Sequence, residues 1–109
     1  MFSNIQNLHD PDVKKLRKSG GLWLKNLREE ANLTQRQFAE LVGCEYYTFV
    51  SQIENGRGRV PPERYREWAK HLGVAPKEFV KGIMRYYDPI TYAILFGEPV
   101  SPPIAAVNY

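Results

Sequence analysis

Side chains able to do covalent or metal chemistry are few in this chain and far apart. Cys44 is the single cysteine and His9 and His71 are the two histidines, so neither an internal disulfide nor a zinc-type ligand cluster can be assembled from them. The carboxylates are scattered over helix faces, and neither histidine has a nucleophile in a recognisable arrangement, which argues against an enzyme and against a bound cofactor. Hydrogen-bonding capacity, by contrast, is concentrated. The stretch GCEYYTFVSQIENG sets Tyr46, Tyr47 and Thr48 just ahead of Ser51 and Gln52, and Asn55, Arg57 and Arg59 follow at once. Amide and hydroxyl groups at helical spacing suit a surface that reads donors and acceptors on another molecule. Glycines flanking the two loop arginines let the backbone come close to an anion.

Helices must position these groups, because apolar residues recur at helical spacing and no strand-like alternation is present. Asp10-Pro11 supplies a cap and a first-turn proline, so PDVKKLRKS reads as a short basic helix that stops at Gly20-Gly21. GLWLKNLREEANL gives a second helix, with Leu24, Leu27 and Ala31 inward. Thr34 caps a third, QRQFAELVG, which turns Phe38, Ala39 and Val42 inward and stops at Gly43. A fourth spans roughly Tyr46 to Asn55. Pro62 opens a fifth whose Tyr65, Trp68, Ala69 and Leu72 fall at i, i+3, i+4 and i+7, closed by Gly73. Pro76 opens a sixth with Phe79, Val80, Ile83 and Met84 as its stripe, and Asp88-Pro89 opens a last short one that ends at Gly97. The final EPVSPPIAAVNY, rich in proline, is expected to be extended or disordered.

The chain's 109 residues, 43% hydrophobic and 13% aromatic, suffice for one domain with one core. All 15 Lys and Arg precede residue 86, whereas residues 88–109 carry Asp88 and Glu98 and no base, so the body is net positive by five and the tail net negative by two. A basic body favours polyanionic partners. Lys14, Lys15, Arg17 and Lys18 form a separate basic cluster near the start, suited either to flanking phosphate or to solubility. With no apolar run long enough for a membrane span and no leader pattern in MFSNIQNLHD, the expected setting is the cytoplasm.

LTQRQFAELVG followed by VSQIENG resembles the helix-turn-helix of Cro/C1-type, or XRE-family, regulators, and the resemblance runs from about residue 21 to about residue 80. It implies an all-α, compact bundle of the lambda-repressor-like DNA-binding type, here with an extra N-terminal helix and a short C-terminal helix. It implies that Gln35, opening the first helix of the pair beside Thr34 and Arg36, binds a phosphate of double-stranded DNA, where helix amides add to the contact. It makes Arg28 and Glu54 an internal ion pair that ties the first core helix to the end of the recognition helix. The loop residues Asn55, Arg57 and Arg59 become candidates for backbone phosphates.

One departure from the family matters. Ten residues separate Gly43 from Glu54, one more than in the commonest pattern. Without an insertion, Phe49 and Gln52 would point inward, and burying an unpaired amide costs on the order of 1 to 3 kcal/mol. Placing the extra residue in the turn puts Val50 and Ile53 inward instead. Tyr46, Tyr47, Thr48, Ser51 and Gln52 then match the family's groove-facing positions, where Gln can bond adenine with two prongs and Thr can touch a thymine methyl.

The chain therefore divides into an arm and short basic helix over 1–20, a DNA-binding domain over 21–87 and a helix with a proline-rich tail over 88–109. Reading a two-fold operator requires a homodimer, for which Tyr86, Tyr87, Ile90, Ile94, Leu95 and Phe96 are candidates. The expected function is a sequence-specific transcriptional regulator, most simply a dimeric repressor of bacterial or phage type. The alternative is an antitoxin-like protein that autoregulates through its helix-turn-helix and binds a protein partner through the C-terminal segment.

Overall fold

The structure, a computed structural model, describes residues 10–97. The expected extended tail beyond Gly97 lies outside them, as does the arm before Asp10. Six α-helices follow one another: α1 (Asp10–Glu30), α2 (Gln35–Leu41), α3 (Thr48–Glu54), α4 (Tyr65–Leu72), α5 (Pro76–Tyr87) and α6 (Pro89–Phe96), with a 3-10 turn over Pro62–Arg64 before α4. No strand is present among the described residues.

The largest departure from expectation is in α1, which runs unbroken through Gly20 and Gly21. Both glycines are buried. A Cβ on Gly21 would run into the backbone carbonyl oxygens of Ile53 and Glu54, and one on Gly20 would lie 2.8 Å from the Tyr86 Cβ. The glycines are thus where two other helices cross α1 at close range. The local cost of glycine in a helix, about 1 kcal/mol per residue, is offset by the packing that the missing side chains allow.

The remaining boundaries follow local chemistry. Asn32 adopts the left-handed conformation after α1, at φ 62°, a region that asparagine tolerates better than most residues. Thr34 and Gln37 then form a reciprocal cap: the Gln37 N–H donates to Thr34 Oγ1 at 3.1 Å and the Thr34 N–H donates to Gln37 Oε1 at 2.9 Å. The helix expected from Pro62 begins as a 3-10 turn and becomes α-helical at Tyr65.

Leu24 of α1, Phe38 of α2 and Val42 just after it, Val50 and Ile53 of α3, Trp68 of α4, and Phe79 and Ile83 of α5 meet in one core, each at most 1% exposed. The Phe38 and Trp68 rings meet edge to face with centroids 4.8 Å apart, an arrangement that adds roughly 0.5–1.5 kcal/mol to area burial. Trp23, on another side of α1, packs against Phe79 and Tyr86. It also fills the space above Gly82, where any Cβ would collide with its ring.

Candidate nucleic-acid interface

Position and orientation of α3 are set by three anchors. Val50 and Ile53 bury its inner face at 0% and 1% exposure, so Gln52 is left exposed and Phe49 half-buried. That is the register with the extra residue in the turn. Phe49 approaches Trp68 edge-on at 6.4 Å between centroids.

The second anchor is electrostatic. Arg28 Nε donates to Glu54 Oε2 at 2.7 Å and Nη2 to Oε1 at 3.0 Å, while Nη1 donates to the Leu33 carbonyl at 2.7 Å. Both side chains are buried, at 8% and 4% exposure. The bond to Glu54 is the chief cause that raises the Arg28 pKa above its usual value, while burial opposes it. Removing one partner from such a buried pair would strand the other charge, a loss of about 3–5 kcal/mol.

Gln35 joins this network. Its amide Nε2 donates to Glu54 Oε1 at 2.9 Å, so the residue expected at a phosphate is also tied to the end of α3. One amide hydrogen and the amide oxygen remain for another partner. Thr34, with its oxygen accepting in the cap, retains its own hydroxyl proton.

The third anchor holds the turn. After Val42 the chain passes through Gly43 at φ 74°, and Arg64 Nη1 donates to the Val42 carbonyl at 3.0 Å and lies 4.0 Å from Cys44 Sγ. Sequence reasoning missed Arg64, because an arginine after two prolines gives no sign of the carbonyl it will cap twenty-two residues earlier. Burial pushes the Cys44 thiol pKa up, with the Arg64 charge working against it.

Around these anchors the outer surface is continuous. Tyr46 is 66% and Tyr47 39% exposed. Both precede α3, which starts at Thr48 and not at Tyr46 as expected. Arg36, exposed on α2, lays its guanidinium over the Tyr47 ring at 4.4 Å. Thr48 and Gln52 are exposed and Ser51 is half-buried on the same helix, and Asn55, Arg57 and Arg59 are exposed in the loop that follows.

Two successive short helices, the second with a buried inner face and a polar outer one, joined by a turn pinned from a neighbouring helix, form a helix-turn-helix. The family model of that name matches residues 24–79, just over half of the chain. The chain belongs to the Cro/C1-type helix-turn-helix family. Members of this family are DNA-binding regulators, and the all-α bundle is their fold. No curated protein matches the chain. No helix among the described residues is long and apolar enough to cross a membrane, and no group of His, Cys, Asp or Glu among them could hold a metal ion.

The six residues expected at a dimer or partner surface fall into two sets. Tyr86 packs on Trp23, with centroids 6.0 Å apart, and the Tyr87 hydroxyl accepts from the Val60 N–H at 3.1 Å, so both serve the interior of the protein. Ile90 is half-buried. Ile94 and Leu95 are exposed at 76% and 62%, and Phe96, at 37%, packs its ring against Tyr92 and under Lys81, on a helix capped by Asp88, whose Oδ1 accepts from the Thr91 N–H.

Proposed function

We propose that the protein is a sequence-specific, double-stranded-DNA-binding transcriptional regulator that inserts α3 into the major groove. The observation that carries this reading is the division of α3 into a fully buried row, Val50 and Ile53, and an outward row of Thr48, Ser51 and Gln52 that continues into Asn55 and Arg57. Buried residues fix the helix while the outward ones meet base edges, and each good contact contributes ~1–3 kcal/mol of discrimination. Arg36, Arg57 and Arg59 supply phosphate contacts on either side of the groove, and Gln35 positions its amide through Glu54. Tyr46 and Tyr47, ahead of the helix, meet sugars or thymine methyls.

A two-fold operator calls for two copies, and of the six candidates for self-association Ile94 and Leu95 on α6 are the most exposed. The simplest mode is a repressor that covers promoter DNA in the cytoplasm. The same exposed pair favours one second reading, an antitoxin-like protein whose α6 engages a different protein while the helix-turn-helix autoregulates. Size measurement separates these, since the first requires a homodimer of the isolated protein.

Selection of bound duplexes from random DNA tests the main reading, which requires one enriched, two-fold symmetric sequence. On that sequence Gln52→Ala should weaken binding roughly 5- to 150-fold, while leaving binding to random DNA nearly unchanged. Equal loss on both DNAs would refute the outward assignment of Gln52.

A further inference from the structure

Lys14, Lys15, Arg17 and Lys18 lie ahead of the family match at 24–79 and have no role in the function above. Their placement follows from the continuity of α1. Lys14, Gly21 and Arg28 are spaced by seven residues, close to two helical turns, and so share one side of the helix. On that side Arg28 holds Glu54, and Gly21 lies against the carbonyls of Ile53 and Glu54. Lys14 therefore sits about 10 Å further along α1, past the end of α3.

The 55–59 loop occupies that neighbourhood. A Cβ on Gly56 would be 2.8 Å from both Lys18 Cα and Lys18 N, so loop and helix backbones touch. Arg17 and Arg59 both lie over the Tyr87 ring, at 5.4 and 4.6 Å from its centroid. Among the described residues neither guanidinium has a carboxylate partner. Lys14, Lys18 and Arg57 are exposed. Asp12, nine residues before Gly21, falls two and a half turns away and so on the opposite side of α1. Asp10, four residues before Lys14, falls on the lysine side of α1. The cations outnumber it, and a bound polyanion relieves their mutual repulsion.

We propose that the first turns of α1 and the 55–59 loop form one phosphate-tracking surface, on which Lys14 and Lys18 contact the backbone of the duplex beyond the stretch that α3 reads. This rests on the DNA-binding reading, since the surface continues the loop that flanks the reading face. It lengthens the footprint and adds affinity without sequence preference.

The test is binding of the full chain to a random-sequence duplex and to the selected duplex from about 50 to about 300 mM salt. The double variant Lys14→Ala/Lys18→Ala should lose roughly 10- to 30-fold in affinity for both DNAs at about 0.15 M salt, with the log–log salt slope flatter by about 1.8. Preference for the selected sequence and thermal stability should be unchanged. Lys70→Ala/Lys77→Ala removes the same charge from exposed sites, Lys77 being at the end of α5 remote from Tyr87, and should leave the slope near that of the unaltered chain. An unchanged slope in the first variant, or an equal flattening in the second, overturns the proposal while DNA binding itself stands. Failure of the unaltered chain to bind either duplex overturns both together.

Discussion

Two Tyr-Tyr pairs, 46–47 and 86–87, occur in this chain, and the fold uses them in opposite ways. The first stands ahead of α3 with both rings open to solvent and a single arginine stacked on one of them. The second ends α5, with Tyr86 covering Gly20 and Tyr87 held by the Val60 amide and two arginines. A pinned turn places the first pair outside the core. The second pair sits where α1 and the 55–59 loop converge, so its bulk fills space that glycines leave empty. Tyrosine is suited to either fate because an apolar ring and a polar tip can be divided between protein and surroundings.

The widest separation of the pairs should come from truncation. Tyr87→Ala should cost about 3 kcal/mol, through the lost ring and the orphaned Val60 amide, and so lower the melting temperature by roughly 12–24 °C. Tyr46→Ala should change stability by less than about 0.5 kcal/mol while weakening DNA binding. Similar melting temperatures for the two variants would erase the distinction. A smaller change sharpens it: Tyr87→Phe keeps the ring but leaves the Val60 N–H without its acceptor, so denaturant titration should show a loss of about 1–2 kcal/mol.

The smallest effect is on alkaline stability. Burial raises the pKa values of Tyr86 and Tyr87 above 10.0, although the Val60 bond and the arginines partly offset it at Tyr87. Since the unfolded chain releases these protons at about pH 10, the stability they contribute is present below that pH and is lost as pH rises past it. Tyr86→Phe removes one such group, and its unfolding free energy should fall less between about pH 9 and about pH 11 than that of the unaltered chain. An equally steep fall would show that Tyr86 is not buried as a neutral phenol.

Much of the fold was legible from the sequence, for physical reasons that differ by element. The inward choice of Val50 and Ile53 followed from the cost of burying an amide, and the structure buries both. Asp88-Pro89 and Gly97 marked the ends of α6 because proline and left-handed glycine act locally. Gly20-Gly21 misled, since a helix stop and a helix crossing use the same residue, and which of them applies is decided by α3 and α5, far away in sequence. The candidate site was legible in outline, with Thr48, Gln52, Asn55 and Arg57 on one exposed surface. Arg64 and the bond from Gln35 to Glu54 were not, because each depends on a partner that only the packed chain brings near.

The unbroken α1 also constrains how this protein can vary. Each residue turns an α-helix by about 100°, so one insertion between Lys14 and Gly21 would swing the lysine well away from the loop, and one between Gly21 and Arg28 would part the brace from the crossing. Exposed positions of α1 away from the phosphate-tracking surface can change freely, but its length is indexed like a keyed shaft. Related chains that retain both features should differ here in composition and hardly at all in residue count.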